Sequence, residues 1–221
     1  RREKFTTIYS GMRTEWFDLH RYDRDRVRAG WGFPRDTVVV ATVARLFRNK
    51  GYELLILAMA QAYRAEPRLR FVWIGGGARR GDYLAELDRL GIRRAVHLTG
   101  LVPAEKVGEV LSGTDLLAHA SLWEGLPRAA VQALLMNRPV VSFAIDGAPE
   151  VVIPGRTGIL VPLGDVAGLA QAMVDLARDP GMRERYGREG RGLCLERFDH
   201  ERMVDAIEGV YRELRGHQPQ R

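Results

Sequence analysis

Two short stretches of this 221-residue chain carry side chains that could act together. In "ARLFRNKG", Arg45 and Lys50 lie five residues apart and Gly51 follows. Lysine is scarce, with Lys4 and Lys106 the only others, so a compact point charge at position 50 stands out among so many planar guanidinium groups. Two cations beside a helix start suit a phosphate or diphosphate; a solvated strand-to-helix loop accounts for them equally well. In "SLWEGLPRAAVQAL", Glu124 stands in a Gly-Leu-Pro turn and Gln132 follows eight residues later, four beyond Arg128. Pro127, after Gly125 and Leu126, reads as the first residue of a helix whose free amides can hold an anion. Glu124 just outside that helix and Gln132 two turns on would face one ligand, unless Glu124 only complements the helix dipole.

Three further segments belong to the same set. "GGG" at 75–77, with Gly76 at its centre, lets backbone approach a ligand closely or makes a tight turn. "TGLVP" at 99–103 bends at Gly100, followed by Leu101, and offers backbone groups to a flat base or is a plain turn. "DGAPEVV" repeats the glycine-proline device with Glu150 in a first helical turn, where it would complement the dipole. The dinucleotide fingerprint G-x-G-x-x-G fails in both places it could stand, since its last position after Gly75 is Arg80 and the first apolar strand ends in Ala44. A nicotinamide-dependent dehydrogenase is therefore disfavoured.

These residues need a scaffold, and the periodicity supplies one. Strands are expected at 37–44, 69–75, 95–100, 115–120, 139–143 and 158–161, where short β-branched apolar runs occur. Helices are expected at 51–66, 80–91, 104–113, 127–137 and 148–154, then at 165–179, 181–198 and 200–215. Near-continuous apolar strands separated by helices imply a parallel sheet covered on both faces. The expectation is an α/β, Rossmann-like, doubly wound sheet of about six strands in the order 3-2-1-4-5-6, with extra C-terminal helices. Ligands of such a fold sit outside the carboxyl ends of the strands, where Arg45, Lys50, Glu124 and Gln132 fall. Residues 1–36 lack a buried strand and read as a hinge or linker, 37–215 as the domain, and 216–221 as a disordered tail. The opening "RREKFTTIYSGMRTEWFD" reads as the continuation of something longer.

Composition narrows the class. At 46% hydrophobic and 28% charged, the chain can bury a proper core. Its single cysteine, Cys194, argues against a disulfide framework or zinc cluster and for a reducing, cytoplasmic setting. No apolar run approaches the roughly 20 residues of a membrane-spanning helix. The net charge of +6 is spread among acids, without a basic stripe carrying interleaved aromatics, which speaks against nucleic acid.

In order and spacing, "IYSGM", "RLFRNKG", "VWIGGG", "HLTGLVP", "SLWEGLP", "GAPEVV", "GRTGILVPLGD" and "RFDHERMVDAIEGVYREL" together resemble the C-terminal domain of retaining GT-B glycosyltransferases, family 4, also called group 1. The resemblance implies a donor site for a sugar nucleotide, a UDP- or GDP-sugar, with no metal ion or other cofactor. Arg45 and Lys50 match the basic pair that neutralises the leaving diphosphate. Gly125, Leu126 and Pro127 match the loop near phosphate and sugar, and the segment from Leu98 through Gly100 and Leu101 to Val102 matches the loop at the base. Glu124 matches the first acid of the E-x7-E signature, and Gln132 replaces the second, which grips ribose hydroxyls. Glutamine offers one acceptor and one donor where a carboxylate accepts twice, at a cost of about 1 kcal/mol. Ala44 replaces a common glycine.

The family's acceptor site lies in an N-terminal domain absent from this chain, so the resemblance implies a partner half, an unspecified acceptor and, in full length, peripheral membrane contact. No histidine matches a motif; His119 reads as core or near-site structure. Two other readings remain: a GT-B sugar-nucleotide epimerase, and a non-catalytic module in which Gln132 marks a decayed site.

Overall fold

A computed structural model describes residues 5–216 of the chain. Six parallel strands form one sheet: β1 (Val38–Val43), β2 (Leu69–Ile74), β3 (Val96–Gly100), β4 (Leu116–His119), β5 (Val140–Phe143) and β6 (Gly158–Val161). Their spatial order is β3-β2-β1-β4-β5-β6, as expected from the sequence. β1 pairs with β2 from Val38↔Leu69 to Val43↔Ile74, and with β4 at Val40↔Leu116 and Ala41↔Leu117.

The period of two along each strand feeds two cores. Val38, Val40, Leu69, Phe71 and Trp73 face one side, with α2 (Tyr52–Ala65), α3 (Arg80–Arg89) and α7 (Val166–Arg178). Val39, Ala41, Val72 and Ile74 face the other, with α4 (Val107–Ser112), α5 (Arg128–Leu135) and part of α8 (Pro180–Arg197). Tyr52 stacks on Tyr83 at 5.0 Å and meets Trp73 edge-on at 4.8 Å, filling the first layer with aromatic area. Cys194 is buried in the second, and burial pushes its thiol up to about 12.

Apolar residues of the segment from Tyr9 to Phe33 pack onto that second layer. Phe17 is buried against it, and the Met12 backbone bridges to the segment before α9 (His200–Gly216), with Met12 N–H on Phe198 O at 2.7 Å and His200 N–H on Met12 O at 3.0 Å. The segment also holds a helix that periodicity does not reveal, α1 (Arg24–Ala29), because it is short and lacks a buried residue. Asp23 caps it, accepting from Arg26 N–H at 3.0 Å.

Two boundaries differ from expectation. Pro127 stands outside α5 as its cap, with ψ 84°, and its carbonyl takes the first helical bond from Ala130 N–H. α6 (Ala148–Val151) stops early because Val152 turns extended and Ile153 N–H is satisfied by Thr157 Oγ1 at 2.8 Å, ahead of Pro154. α9 leaves Ile207, Tyr211 and Leu214 exposed, and touches the body where Gly11 N–H approaches Met203 Sδ at 3.1 Å. The expected tail falls outside the described residues except for Gly216, which ends α9.

Candidate active site

β1 and β4 are neighbours in the sheet, yet the chain leaves them toward opposite edges, so a crevice opens at their carboxyl ends. The loops that follow them are pulled together there. Leu122 N–H donates to Asn49 O at 3.0 Å, tying the β4 loop to the β1 loop. Gly51 makes the approach possible: its φ is 65°, and a Cβ there would lie 1.9 Å from Ala120 O. Gly147 does the same for the β5 loop, where a Cβ would lie 2.0 Å from Gly125 O.

The resulting cleft, about 410 Å³, is lined by Arg45, Lys50, Glu124, Leu126, Arg128 and Gln132 among others. Lys50 forms an ion pair with Glu124 Oε1, both side chains being about one-fifth exposed (18% and 21%). The same oxygen accepts from Ser121 Oγ at 2.9 Å and lies 3.6 Å from His119 Nε2. The Glu124 amide donates to Asp146 Oδ2 at 2.8 Å. Burial alone would raise the Glu124 carboxyl, but hydrogen bonds from His119, Lys50 and Ser121 outweigh it and hold it at about 2. Glu124 is thus a fixed anion.

His119 is buried between this carboxylate and Ser142, whose Oγ lies 3.1 Å from Nδ1. The Ser142 Oγ also lies 3.0 Å from Phe143 O, and its one hydrogen serves either that carbonyl or Nδ1. Arg45 lies over the Phe47 ring, 4.9 Å from its centroid, which keeps the guanidinium at the cleft. Arg128, in the first turn of α5, adds a third cation. Three cations around one acid leave net positive charge, suited to an anion of two or more charges.

The residues singled out from the sequence separate into two groups. Arg45, Lys50, Glu124, Leu126 and Gln132 meet in the cleft. Gly125 and Pro127 flank it in the β4 loop. Gly76, Gly100 and Leu101 form a neighbouring rim: Gly100 O accepts from Gly75 N–H at 2.9 Å, and Leu101, 80% exposed, lies over Gly76. Leu98 packs against the first core layer. Glu150 is exposed on α6 beside Tyr9, whose hydroxyl its hydrogen bond and charge push up. Sequence reasoning did not find Asp146 as a support of Glu124, or Ser142 beside His119, because nothing in their spacing links β5 to the β4 loop; Ser121 lies three residues before Glu124, but its type and spacing do not reveal the bond. Among the described residues, no cluster of His, Cys, Asp or Glu is arranged to hold a metal ion, and no helix is long and apolar enough to cross a membrane.

Comparison with known proteins agrees with this fold. The chain is 29% identical over 191 residues to alpha-D-kanosaminyltransferase of Streptomyces kanamyceticus, covering 86% of this chain and 49% of that protein. Among solved structures, sucrose-phosphate synthase from Thermosynechococcus elongatus superposes with a TM-score of 0.84 at 27% identity, covering 95% of this chain and 52% of that one. Anabaena HepE in complex with UDP-glucose superposes with a TM-score of 0.85 at 25% identity, covering 96% of this chain and 58% of that one. The chain spans about half the length of the curated relatives it matches. Residues 23–193, including every residue of the cleft, match the family described as glycosyl transferases group 1, and the chain belongs to that family.

Proposed function

We propose that this chain is the donor-binding domain of a retaining, metal-independent glycosyltransferase that transfers a hexose from a nucleoside diphosphate sugar. The observation that carries this is the convergence of Arg45, Lys50 and Arg128 with Glu124 and Gln132 on one cleft at the switch point of the sheet.

Departure of the sugar leaves a nucleoside diphosphate with growing negative charge. Cations already in place stabilise that charge in the transition state without reorganising. Arg45 and Lys50 supply them, and the α5 amides add a partial positive charge. Glu124 is ionised and immobilised, so it accepts hydrogen bonds from hydroxyls of the transferred sugar and fixes its orientation. A diphosphate would share Lys50 with Glu124, which couples phosphate and sugar at one ammonium group. Gln132, about one turn into α5, reaches the ribose through its amide. The rim formed by Gly76, Gly100 and Leu101 takes the base, with Leu98 supporting it from the core side.

HepE is described in complex with UDP-glucose, and a Mycolicibacterium smegmatis relative, 31% identical over 199 residues, as GDP-mannose-dependent. Both support a nucleoside diphosphate sugar and leave the base to experiment. The acceptor would be presented by a second domain across the cleft, so this chain alone binds donor without transferring sugar. Calorimetric titration with UDP, GDP and ADP tests the reading: one nucleotide should bind saturably. Failure of all three, in a folded chain, would refute donor binding by this domain.

A further inference from the structure

At the opposite end of the sheet from the cleft lies a second cavity, of about 480 Å³. Asp115 sits at the amino end of β4 and Arg138 just before β5, so a strand length of roughly 13 Å separates this cavity from the sugar-nucleotide cleft. Its wall brings together Arg24, Arg138, Arg183 and Arg188 with Asp115 and Glu184. Arg28 approaches from behind, pairing with Asp115 at 3.2 Å. Four guanidinium groups and two carboxylates therefore line one concave site, with a fifth guanidinium paired to its wall from behind.

Part of this arrangement is structural. Arg24 donates to Ser112 O at 3.2 Å, to Thr114 O at 2.7 Å and to Asp115 Oδ1 at 2.7 Å. Arg138 caps the same turn through Leu111 O at 3.3 Å and Ser112 O at 2.8 Å. Arg183 donates to Leu176 O and, at 2.8 Å, to Ala177 O at the end of α7. A guanidinium has five N–H donors. Arg138 and Arg183 each use two on these carbonyls, and Arg188 has no hydrogen bond or ion pair among the described residues.

The charges also oppose one another. Burial first, then the neighbouring Arg24, Arg28 and Arg183, pull Arg138 down to about 10 against the single compensating Asp115. Burial lowers Arg28 and Arg183 as well, and Arg24 adds to both. Helix capping explains where three of these side chains are anchored. It does not explain an uncompensated excess of positive charge gathered around a cavity.

We infer that this cavity is a second ligand site, for a phosphate-bearing anion, formed by Arg24, Arg138, Arg183 and Arg188. Guanidinium forks match phosphate oxygens, and an anion would relieve the mutual repulsion of partly desolvated arginines. The inference is independent of the sugar-nucleotide reading.

Two sources carry the required chemistry, a soluble phosphate compound and a phospholipid headgroup. To silence the cleft, the chain carries Arg45→Ala and Lys50→Met. Inorganic pyrophosphate is titrated calorimetrically, and co-sedimentation is measured with phosphatidylglycerol vesicles against phosphatidylcholine vesicles. At least one anionic probe should bind, and the one that does identifies the source. Arg188→Glu should weaken that binding by about tenfold or more, and Glu184→Gln should strengthen it about twofold. Both side chains are exposed and unpaired among the described residues, so neither substitution threatens folding, which a thermal melt verifies. Binding of neither probe, or binding that responds to neither substitution, would overturn the proposal.

Discussion

Lys50→Met removes one charge from the cleft while keeping the apolar stem, and its consequences follow from the geometry. Lys50 is about four-fifths buried and paired with Glu124 (18% and 21% exposed), at the end of a loop that Gly51 and Asn49 hold against the β4 loop. A charged hydrogen bond to phosphate contributes about 1.5–3 kcal/mol, and because Arg45 and Arg128 remain, the low end applies. Nucleoside diphosphate affinity should fall by about 10- to 30-fold, at 1.4 kcal/mol per factor of ten.

Stability should fall by a similar amount, about 1–2 kcal/mol, and no more, since Glu124 keeps Ser121 and His119 as partners. Glu124→Gln should act differently. It frees Lys50 for the diphosphate, so UDP or GDP alone should bind at least as well, whereas the sugar nucleotide should lose the contribution of its hexose. Calorimetry on the two single variants and the double variant, with nucleotide and sugar nucleotide in parallel, separates these effects. If Lys50→Met left the affinity of every nucleotide within twofold while the melt showed a folded chain, Lys50 would not be a diphosphate ligand.

Further outcomes follow from neighbouring residues. Gln132→Glu should tighten nucleotide binding by about five- to tenfold, because a carboxylate accepts from both ribose hydroxyls with charge assistance; titration with the matching nucleoside monophosphate should show the same gain. Gly51→Ala should destabilise the chain by about 2–4 kcal/mol and abolish binding, since φ is 65° and the added carbon meets Ala120 O at 1.9 Å; thermal unfolding checks the first and calorimetry the second. Acid should unfold the chain through two depressed carboxyls. Glu124 is held at about 2, where hydrogen bonds outweigh burial, and Glu66 is held at about 2 chiefly by hydrogen bonding to Arg68, with a further bond from Arg178. Each lies below its unfolded value near 4.5, so the stabilisation is complete above that value and is lost as pH falls toward 2. Glu66→Gln should flatten the stability profile between about pH 5 and 2, by a share reduced for the partial exposure of Arg68 and Arg178.

Much of the fold was readable without coordinates because it depends on local chemistry. The β-branched runs at 38–43 and 69–74 face apolar layers on both sides, and their flanking helices alternate at helical spacing, so strand number, order and the crevice follow from pattern and handedness. α1 was not readable, because six residues with no buried side chain leave no periodicity to detect. The ends of α5 and α6 moved by a few residues because proline and hydrogen-bond closure decide them.

By itself, the sequence determined which side chains reach the strand ends: Arg45 and Lys50 after β1, Glu124 and Gln132 after β4. It carried that information because each lies next to the strand or helix that presents it. Only the tertiary structure decided that Lys50 pairs with Glu124, that His119, Ser121 and Asp146 hold this acid, and that Arg24, Arg138, Arg183 and Arg188 surround a second cavity. Ser121 and His119 lie close to Glu124 in sequence, but Asp146 and Lys50 reach it from 22 and 74 positions away, and the second cavity joins elements as distant as α1 and α8. Loop closure over such separations is set by how the layers pack, which no local pattern records.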